Sequence, residues 1–112
     1  MKIPIYDKSN KWLVKFVPEV SDECGTLVAG LCDFTSKQIT VSTSYPRQMS
    51  DKDIKDQISR TYWHEVMHAI FYECDIRDLS WFTGDNEHAI IAPLAKAMAL
   101  LVPIEIELTR VK

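Results

Sequence analysis

Two histidines and a glutamate in the segment TYWHEVMHAIFYE, residues 61–73, have the spacing of a metal site. His64 and His68 are four residues apart, and Glu65 directly follows the first. On a helix, residues four apart lie on one face, one turn above the other. Both imidazoles can then bind one ion at about 2.0–2.1 Å, the distance typical of zinc. A random order of this composition would contain the motif with a probability of about 0.005. The spacing therefore predicts one zinc ion per chain.

The position of Glu65 predicts a hydrolytic centre. Its side chain is turned about 100° around the helix axis from His64, so it reaches a water on the metal and not the metal itself. Zinc lowers the pKa of such a water to about 7, and Glu65 would accept the proton as general base. The sequence thus predicts a zinc metallopeptidase with a narrow range of protein substrates. The alternative is a non-catalytic zinc-binding interaction or regulatory module.

A third ligand must come from outside this turn, because catalytic zinc sites use three protein ligands and keep one position open. Glu87 begins a second predicted helix, on the face that by its period must pack against the first. Its neighbour His88 is turned about 100° further around the axis and is the alternative third ligand. We predict His64, His68 and Glu87 as the ligands. The residues alone do not decide whether Glu87 or His88 is the third ligand.

Further groups are candidates for supporting roles around the metal. Tyr62, Tyr72 and His88 could each donate to the oxyanion that forms on the attacked carbonyl. Metal-binding histidines usually donate their second ring nitrogen to a carboxylate or a backbone carbonyl. Asp78 and Asp85 are available for that purpose, but the sequence does not choose between them.

Three strands are predicted before the HExxH segment. Residues 12–17, 26–34 and 38–42 are runs of β-branched, aromatic and other apolar side chains, separated by turn-forming residues. The polar segment between the last two has the character of a hairpin connection. We therefore expect a small antiparallel sheet of about three strands.

Two helices are predicted after the strands. Ser50 and Asp53 form a capping-box-like pair, and a helical period then continues over residues 51–74. A second helix, capped near Asp85, runs to about Val102. The predicted fold class is α+β, with the small sheet packed on the long HExxH helix and on a second helix that carries the third ligand.

The composition of the chain limits its number of domains and the kinds of partner that it can bind. Its 112 residues, 46% hydrophobic and 26% charged, predict one globular domain over residues 1–112. The net charge is −3 with scattered basic residues, which argues against nucleic acid or an anionic membrane as the partner. The longest apolar run, AMALLVPI, is too short to cross a bilayer.

Cysteine usage and the N-terminal sequence predict a cytoplasmic location. Cys24, Cys32 and Cys74 make an odd number without CxxC spacing, which favours free thiols in a reducing compartment. A disulfide between Cys24 and Cys32 is the alternative. The first residues, MKIPIYDKSNKW, contain no apolar stretch of the kind that a secretory signal requires.

The motif and its flanks resemble known zinc peptidases. HEVMH followed, after eighteen intervening residues, by Glu87 is similar to the gluzincins, whose third ligand is a glutamate. With GLCDFTSKQITVS at 30–42 and EHAIIAPLAKAMALL at 87–101, about two thirds of the chain resembles the compact ImmA/IrrE-like family of bacteria and phages. That resemblance implies a minimal zincin fold. A second resemblance, to SprT-like proteases, implies a histidine as third ligand and so favours His88.

The zincin resemblance also implies how a substrate would bind. In zincins an extended peptide lies antiparallel to an edge strand above the metal, and here that strand would be Lys37 to Ser42. Backbone hydrogen bonds to an exposed strand edge hold a peptide with little regard to its sequence. The expected partner is therefore a protein or peptide substrate.

Overall fold

A computed structural model describes residues 1–5, 7–79 and 82–105 of the chain. The described part is an α+β structure with a four-stranded mixed sheet, a separate two-stranded sheet and two α-helices. The strands are β1 (Lys2–Ile5), β2 (Asp7–Val17), β3 (Val20–Ser21), β4 (Leu27–Val28), β5 (Gly30–Asp33) and β6 (Gln38–Ser42). The helices are α1 (Asp51–Glu73) and α2 (Gly84–Leu101), with a 3₁₀ turn at Ile76–Asp78 between them. The predicted α+β class is confirmed.

The main sheet has the order β1–β2–β6–β5, and its strands do not all alternate in direction. β1 and β2 are antiparallel, as are β5 and β6, but β2 and β6 run parallel. The prediction of an antiparallel sheet of about three strands is therefore wrong. The chain between β2 and β6 crosses over through β3, β4 and β5, so β6 returns in the direction of β2. β1 was missed because it is short and contains Pro4.

The predicted strand over residues 26–34 divides at Ala29 into two strands of different sheets. β4 pairs with β3 in the small sheet, and β5 pairs with β6 in the main sheet. Between β3 and β4 the chain turns at Gly25, whose φ of +80° is a conformation that glycine adopts without strain. Asp22 stabilises that turn because its Oδ1 accepts hydrogen bonds from the N–H groups of Cys24 and Thr26.

Helix α1 packs on the main sheet and supplies much of the core. Its N-terminus is capped as predicted, since Oγ of Ser50 accepts the N–H of Asp53 at 3.1 Å. One apolar stripe of α1 with helical spacing meets buried side chains of β2 and β6: Ile54, Ile58, Tyr62, Val66 and Ala69 against Trp12, Val14, Ile39 and Val41. Full burial of such a side chain stabilises the fold by about 1.5–3 kcal/mol. This packing fixes the rotation of α1 about its axis.

Gly30 allows α1 to approach β5 very closely. A Cβ atom at this position would lie 2.6 Å from Cγ2 of Thr61 and 3.0 Å from Cγ of Glu65. Only a residue without a side chain fits between the strand and the helix at that distance. The close approach places Glu65 directly against β5.

Helix α2 packs on the opposite side of α1. Its N-cap is Thr83, whose Oγ1 accepts the N–H of Asn86 at 3.3 Å, so the helix begins slightly earlier than the predicted cap near Asp85. Glu87, Ile91 and Ala95 form its buried stripe. At the far end, Nε1 of Trp63 donates to the carbonyl of Val102 at 2.9 Å, which fixes the end of α2 on α1.

Two expectations from composition can be compared with the structure. Cys24, Cys32 and Cys74 are free thiols, as predicted. Neither of the two helices in the described part of the chain has the length and apolar character needed to cross a bilayer.

Candidate metal centre

Three histidines from the two helices meet in one cluster. One nitrogen of each of His64, His68 and His88 lies within 4.8 Å of the other two. His68 is buried, His64 is half-buried and His88 is exposed at the start of α2. The ring centroids are 4.8 Å apart for His64 and His68 and for His68 and His88. This cluster, which we call the histidine trio, could hold a metal ion.

The two histidines of α1 have their ring nitrogens arranged for a shared ion. Nε2 of His64 and Nε2 of His68 are 3.1 Å apart. In a tetrahedral zinc site with bonds of 2.0–2.1 Å, neighbouring nitrogens are about 3.4 Å apart. The pair thus has nearly the required separation. His88 is exposed, and its nitrogen lies within 4.8 Å of the other two.

Glu87 lies beside the histidine trio but faces away from its centre. Oε2 of Glu87 accepts the Nδ1 proton of His68 at 2.5 Å. The same carboxylate accepts two hydrogen bonds from Arg77, from Nε at 2.6 Å and from Nη2 at 2.8 Å. Both oxygens are therefore occupied, and the side chain is buried. Glu87 lies on the inward face of α2 as predicted, but its carboxylate is bonded to His68 and Arg77 and is not part of the histidine trio.

These contacts fix the tautomer of the His68 imidazole. A carboxylate only accepts hydrogen bonds, so Nδ1 of His68 carries the proton and Nε2 presents its lone pair toward His64. Burial lowers the pKa of His68, although its bond to Glu87 works in the opposite direction. Burial and the neighbouring His68 and His88 also lower the pKa of His64. Both imidazoles of α1 are thus neutral at neutral pH, which is the state that binds metals.

The environment of Glu87 explains why it stays ionised. Burial by itself would raise the pKa of this carboxyl group, but the hydrogen bonds from Arg77 and His68 and the charge of Arg77 hold it below its usual value. Arg77 is itself packed over the ring of Phe34, with the guanidinium carbon 4.6 Å from the ring centroid. The Phe34 ring positions the Arg77 guanidinium, and the two hydrogen bonds from Arg77 hold the Glu87 carboxylate at Nδ1 of His68.

Glu65 is the second buried carboxylate near the histidine trio. Only 9% of its surface is exposed, and burial raises the pKa of Glu65 to about 7. It lines a groove of about 300 Å³ together with Ala29, Gly30, Arg60, Thr61 and His64. A carboxylate with a pKa near neutrality, open to a groove beside histidines, has the properties of a general base.

The three candidates for oxyanion stabilisation occupy different places. Tyr62 is buried in the core, with its ring 6.3 Å from that of Phe16, so it belongs to the packing. Tyr72 is 44% exposed and packs on Phe34 at 4.8 Å. His88 is part of the histidine trio.

The strand predicted as the substrate edge is not an edge. β6, Gln38–Ser42, is paired with β2 on one side and β5 on the other. Its side chains alternate as expected of a strand, but its backbone groups are engaged by both neighbours. β5, at the end of the strand order, has no strand on its outer side in the described part of the chain. The edge strand next to Glu65 is therefore β5, Gly30–Asp33, and the expectation that Lys37 to Ser42 forms an edge strand is wrong.

Arg77 was not identified from the sequence. It lies in the 3₁₀ turn between the helices and reaches Glu87 ten positions later. A possible signal is that it is the single basic residue in the otherwise acidic and apolar segment YECDIRDL. Asp78 and Asp85, which the sequence offered as partners of the histidines, do not take the place that Glu87 has at His68.

Comparisons of the chain with models of protein families, with curated proteins and with solved structures gave no match.

Proposed function

We propose that this protein is a zinc-dependent peptidase that uses Glu65 as general base. The observation that carries the proposal is the convergence of three imidazoles from two helices beside a buried glutamate at an open sheet edge. A purely structural metal site does not require a general base next to it. Three nitrogen ligands leave a fourth tetrahedral position for chemistry.

In this proposal the ligands are His64, His68 and His88. Glu87, which the sequence suggested as third ligand, instead orients His68 through Nδ1 and is held by Arg77. Carboxylates in that position raise the basicity of the histidine and fix its ring. A histidine third ligand supports the resemblance to the SprT-like proteases. It argues against the glutamate third ligand that the resemblance to the ImmA/IrrE-like family implies. The proposed fold is the minimal zincin fold in both cases.

Each residue then has one task in hydrolysis. A zinc ion held by the histidine trio would supply the Lewis acidity that acidifies a water and polarises a peptide carbonyl. Glu65 accepts the proton of that water and later donates it to the leaving amine, as general bases in hydrolysis do. Its burial and its position against Gly30 keep the carboxylate directed to the groove.

The substrate would bind as an extended strand along β5. The outer edge of this strand is unpaired in the described residues, and strand addition satisfies its backbone N–H and C=O groups. Because Gly30 packs on Glu65, a peptide on this edge passes directly over the groove. Backbone recognition of this kind suits a protein substrate.

The experiment that tests the proposal compares wild type with Glu65→Gln. Glutamine keeps the size of the side chain but cannot accept a proton, so zinc content should stay near one per chain while hydrolysis falls by roughly 10²–10⁴-fold. Both proteins are incubated with protein extract from the source cell, and new peptide N-termini are counted. Fragments from wild type alone support the proposal. Equal fragments from both, or capture of the same partners by both without any cleavage, would contradict it, and the latter result identifies a binding module.

A further inference from the structure

Arg60 lines the groove beside Glu65. The groove is lined by Ala29, Gly30, Arg60, Thr61, His64 and Glu65. Arg60 precedes His64 by four residues on α1, so the two side chains share one face of the helix. Among the described residues that line the groove, Arg60 is the one with a permanent positive charge.

No carboxylate among the described residues forms an ion pair with Arg60. In the described part of the chain Arg60 forms no ion pair, whereas Arg77 is engaged in two hydrogen bonds to Glu87. The side chain is exposed, and a guanidinium presents five donors in a fork that matches a carboxylate. A substrate carboxylate in the groove would otherwise face Glu65 alone, a like charge that repels it. The positive charge of Arg60 would instead attract a substrate carboxylate into the groove.

The packing of β5 on α1 gives the direction of a bound peptide. Gly30, at the start of β5, meets Thr61 and Glu65, and Phe34, just after its end, meets Tyr72. β5 and α1 thus run in the same sense. A peptide added antiparallel to β5 would enter at the Phe34 end, pass Glu65 and leave toward Arg60. The residues near Arg60 are those on the C-terminal side of the cleaved bond.

We propose that Arg60 selects substrates with a carboxylate immediately C-terminal to the cleaved peptide bond. This inference rests on the proposed peptidase function and adds its substrate class. The carboxylate is either an aspartate or glutamate side chain or the free C-terminus of the peptide, because both present the same two oxygens to the guanidinium. Glutamine at the same position offers a neutral amide and forms the weaker bond.

The test profiles cleavage of a synthetic decapeptide library in which each sequence is made with a free and with an amidated C-terminus. The zinc-loaded proteins are wild type, Arg60→Gln, Arg60→Glu and the control Lys55→Gln. Lys55→Gln also removes one positive charge from an exposed position of α1, but Lys55 does not line the groove. Zinc content is measured for all four proteins and should be equal.

Wild type and Lys55→Gln should prefer aspartate or glutamate after the cleaved bond over asparagine or glutamine by about tenfold. Arg60→Gln should lose that preference, and Arg60→Glu should prefer lysine or arginine there. If the preference is for the free over the amidated C-terminus, the carboxylate is the terminal one. An identical profile for wild type and Arg60→Gln would overturn the inference while leaving the peptidase function intact. Absence of cleavage by all four proteins would overturn the proposed function and the inference together.

Discussion

Glu87 and His88 are adjacent in the chain and meet the HExxH histidines in different ways. Glu87 accepts the Nδ1 proton of His68 and is held by Arg77, whereas His88 joins the histidine trio. A carboxylate bonded to three donors would have to give up those bonds to reach a metal. Leaving the buried Nδ1–H of His68 unpaired would cost about 1–3 kcal/mol, and the partly buried Arg77 would lose both of its hydrogen bonds to the carboxylate, which favours His88 as the ligand.

The high pKa of Glu65 predicts how the stability of the zinc-free protein depends on pH. Burial raises the pKa of Glu65 from 4.5 to about 7, so between these values the folded state binds a proton that the unfolded state has lost. The stability contributed by the protonated carboxyl is complete below pH 4.5 and is lost as the pH rises to about 7. At 1.36 kcal/mol per pKa unit, the loss is about 3 kcal/mol.

Glu65→Gln should remove this dependence, because the amide does not ionise. With zinc chelated, the excess in free energy of unfolding of Glu65→Gln over wild type should grow by about 3 kcal/mol between pH 4.5 and 7.5. Urea unfolding across this pH range measures it. Taking the difference between the two proteins cancels the titration of the histidines, which both share. A difference independent of pH would show that Glu65 is not desolvated as described.

At the scale of elements, the close contact between β5 and α1 depends on Gly30, which has no side chain. An added Cβ at Gly30 would come within 2.6 Å of Cγ2 of Thr61, closer than packed atoms tolerate. Gly30→Ala should therefore destabilise the fold by about 1–3 kcal/mol, the usual cost of overpacking. The midpoint of urea unfolding measures the change.

Gly84→Ala is the matched control. A Cβ at Gly84 meets no atom within 4 Å, and the residue lies at the start of α2, where alanine is favoured. Its stability should be unchanged or slightly higher. If Gly30→Ala were as stable as Gly84→Ala, the strand and helix would not be in the close contact that places Glu65 at the groove.

The elements themselves could be predicted where their signals are local. The Ser50 cap and the helical period gave α1 to within a residue of its observed end at Glu73, and β6 was predicted with its observed bounds. The direction of β6 relative to β2 could not be predicted, because it depends on a crossover of 20 residues, 18–37. A break such as Ala29 is equally invisible in a continuous apolar run.

The same distinction holds for the candidate site. His64, Glu65 and His68 could be read from one helical turn, because their spacing alone puts them together. The choice between Glu87 and His88 depends on how α2 is rotated about its axis and on Arg77 in the connecting turn. Those are long-range contacts, and the local sequence contains no signal that decides them.

At the scale of the whole molecule, a metal held by the histidine trio would join α1 to the start of α2. An ion that binds only the native state stabilises it by RT ln(1 + [L]/Kd), about 4 kcal/mol at a free concentration of 1,000 times Kd. For a domain with a total stability of about 5–15 kcal/mol this is a large share. Chelation of the zinc-loaded protein should therefore lower its melting temperature by many degrees.

Scanning calorimetry with and without chelator measures this shift, and re-addition of zinc should restore the original transition. His64→Ala provides the control, because chelation should leave its transition nearly unchanged. An unchanged melting temperature of wild type after confirmed removal of the metal would mean that the ion does not link the two helices.

The central claim, that zinc is held by His64, His68 and His88 while Glu87 orients His68, is tested most directly by zinc affinity. Wild type, His88→Ala and Glu87→Gln are titrated with zinc in competition with a chromophoric chelator. Glu87→Gln keeps an acceptor for Nδ1 of His68 and should weaken binding by about 10–100-fold, the usual effect of a supporting group. His88→Ala removes a ligand and should weaken binding more than Glu87→Gln does. The reverse order, with zinc retained in His88→Ala and lost in Glu87→Gln, would contradict the account and make Glu87 the third ligand.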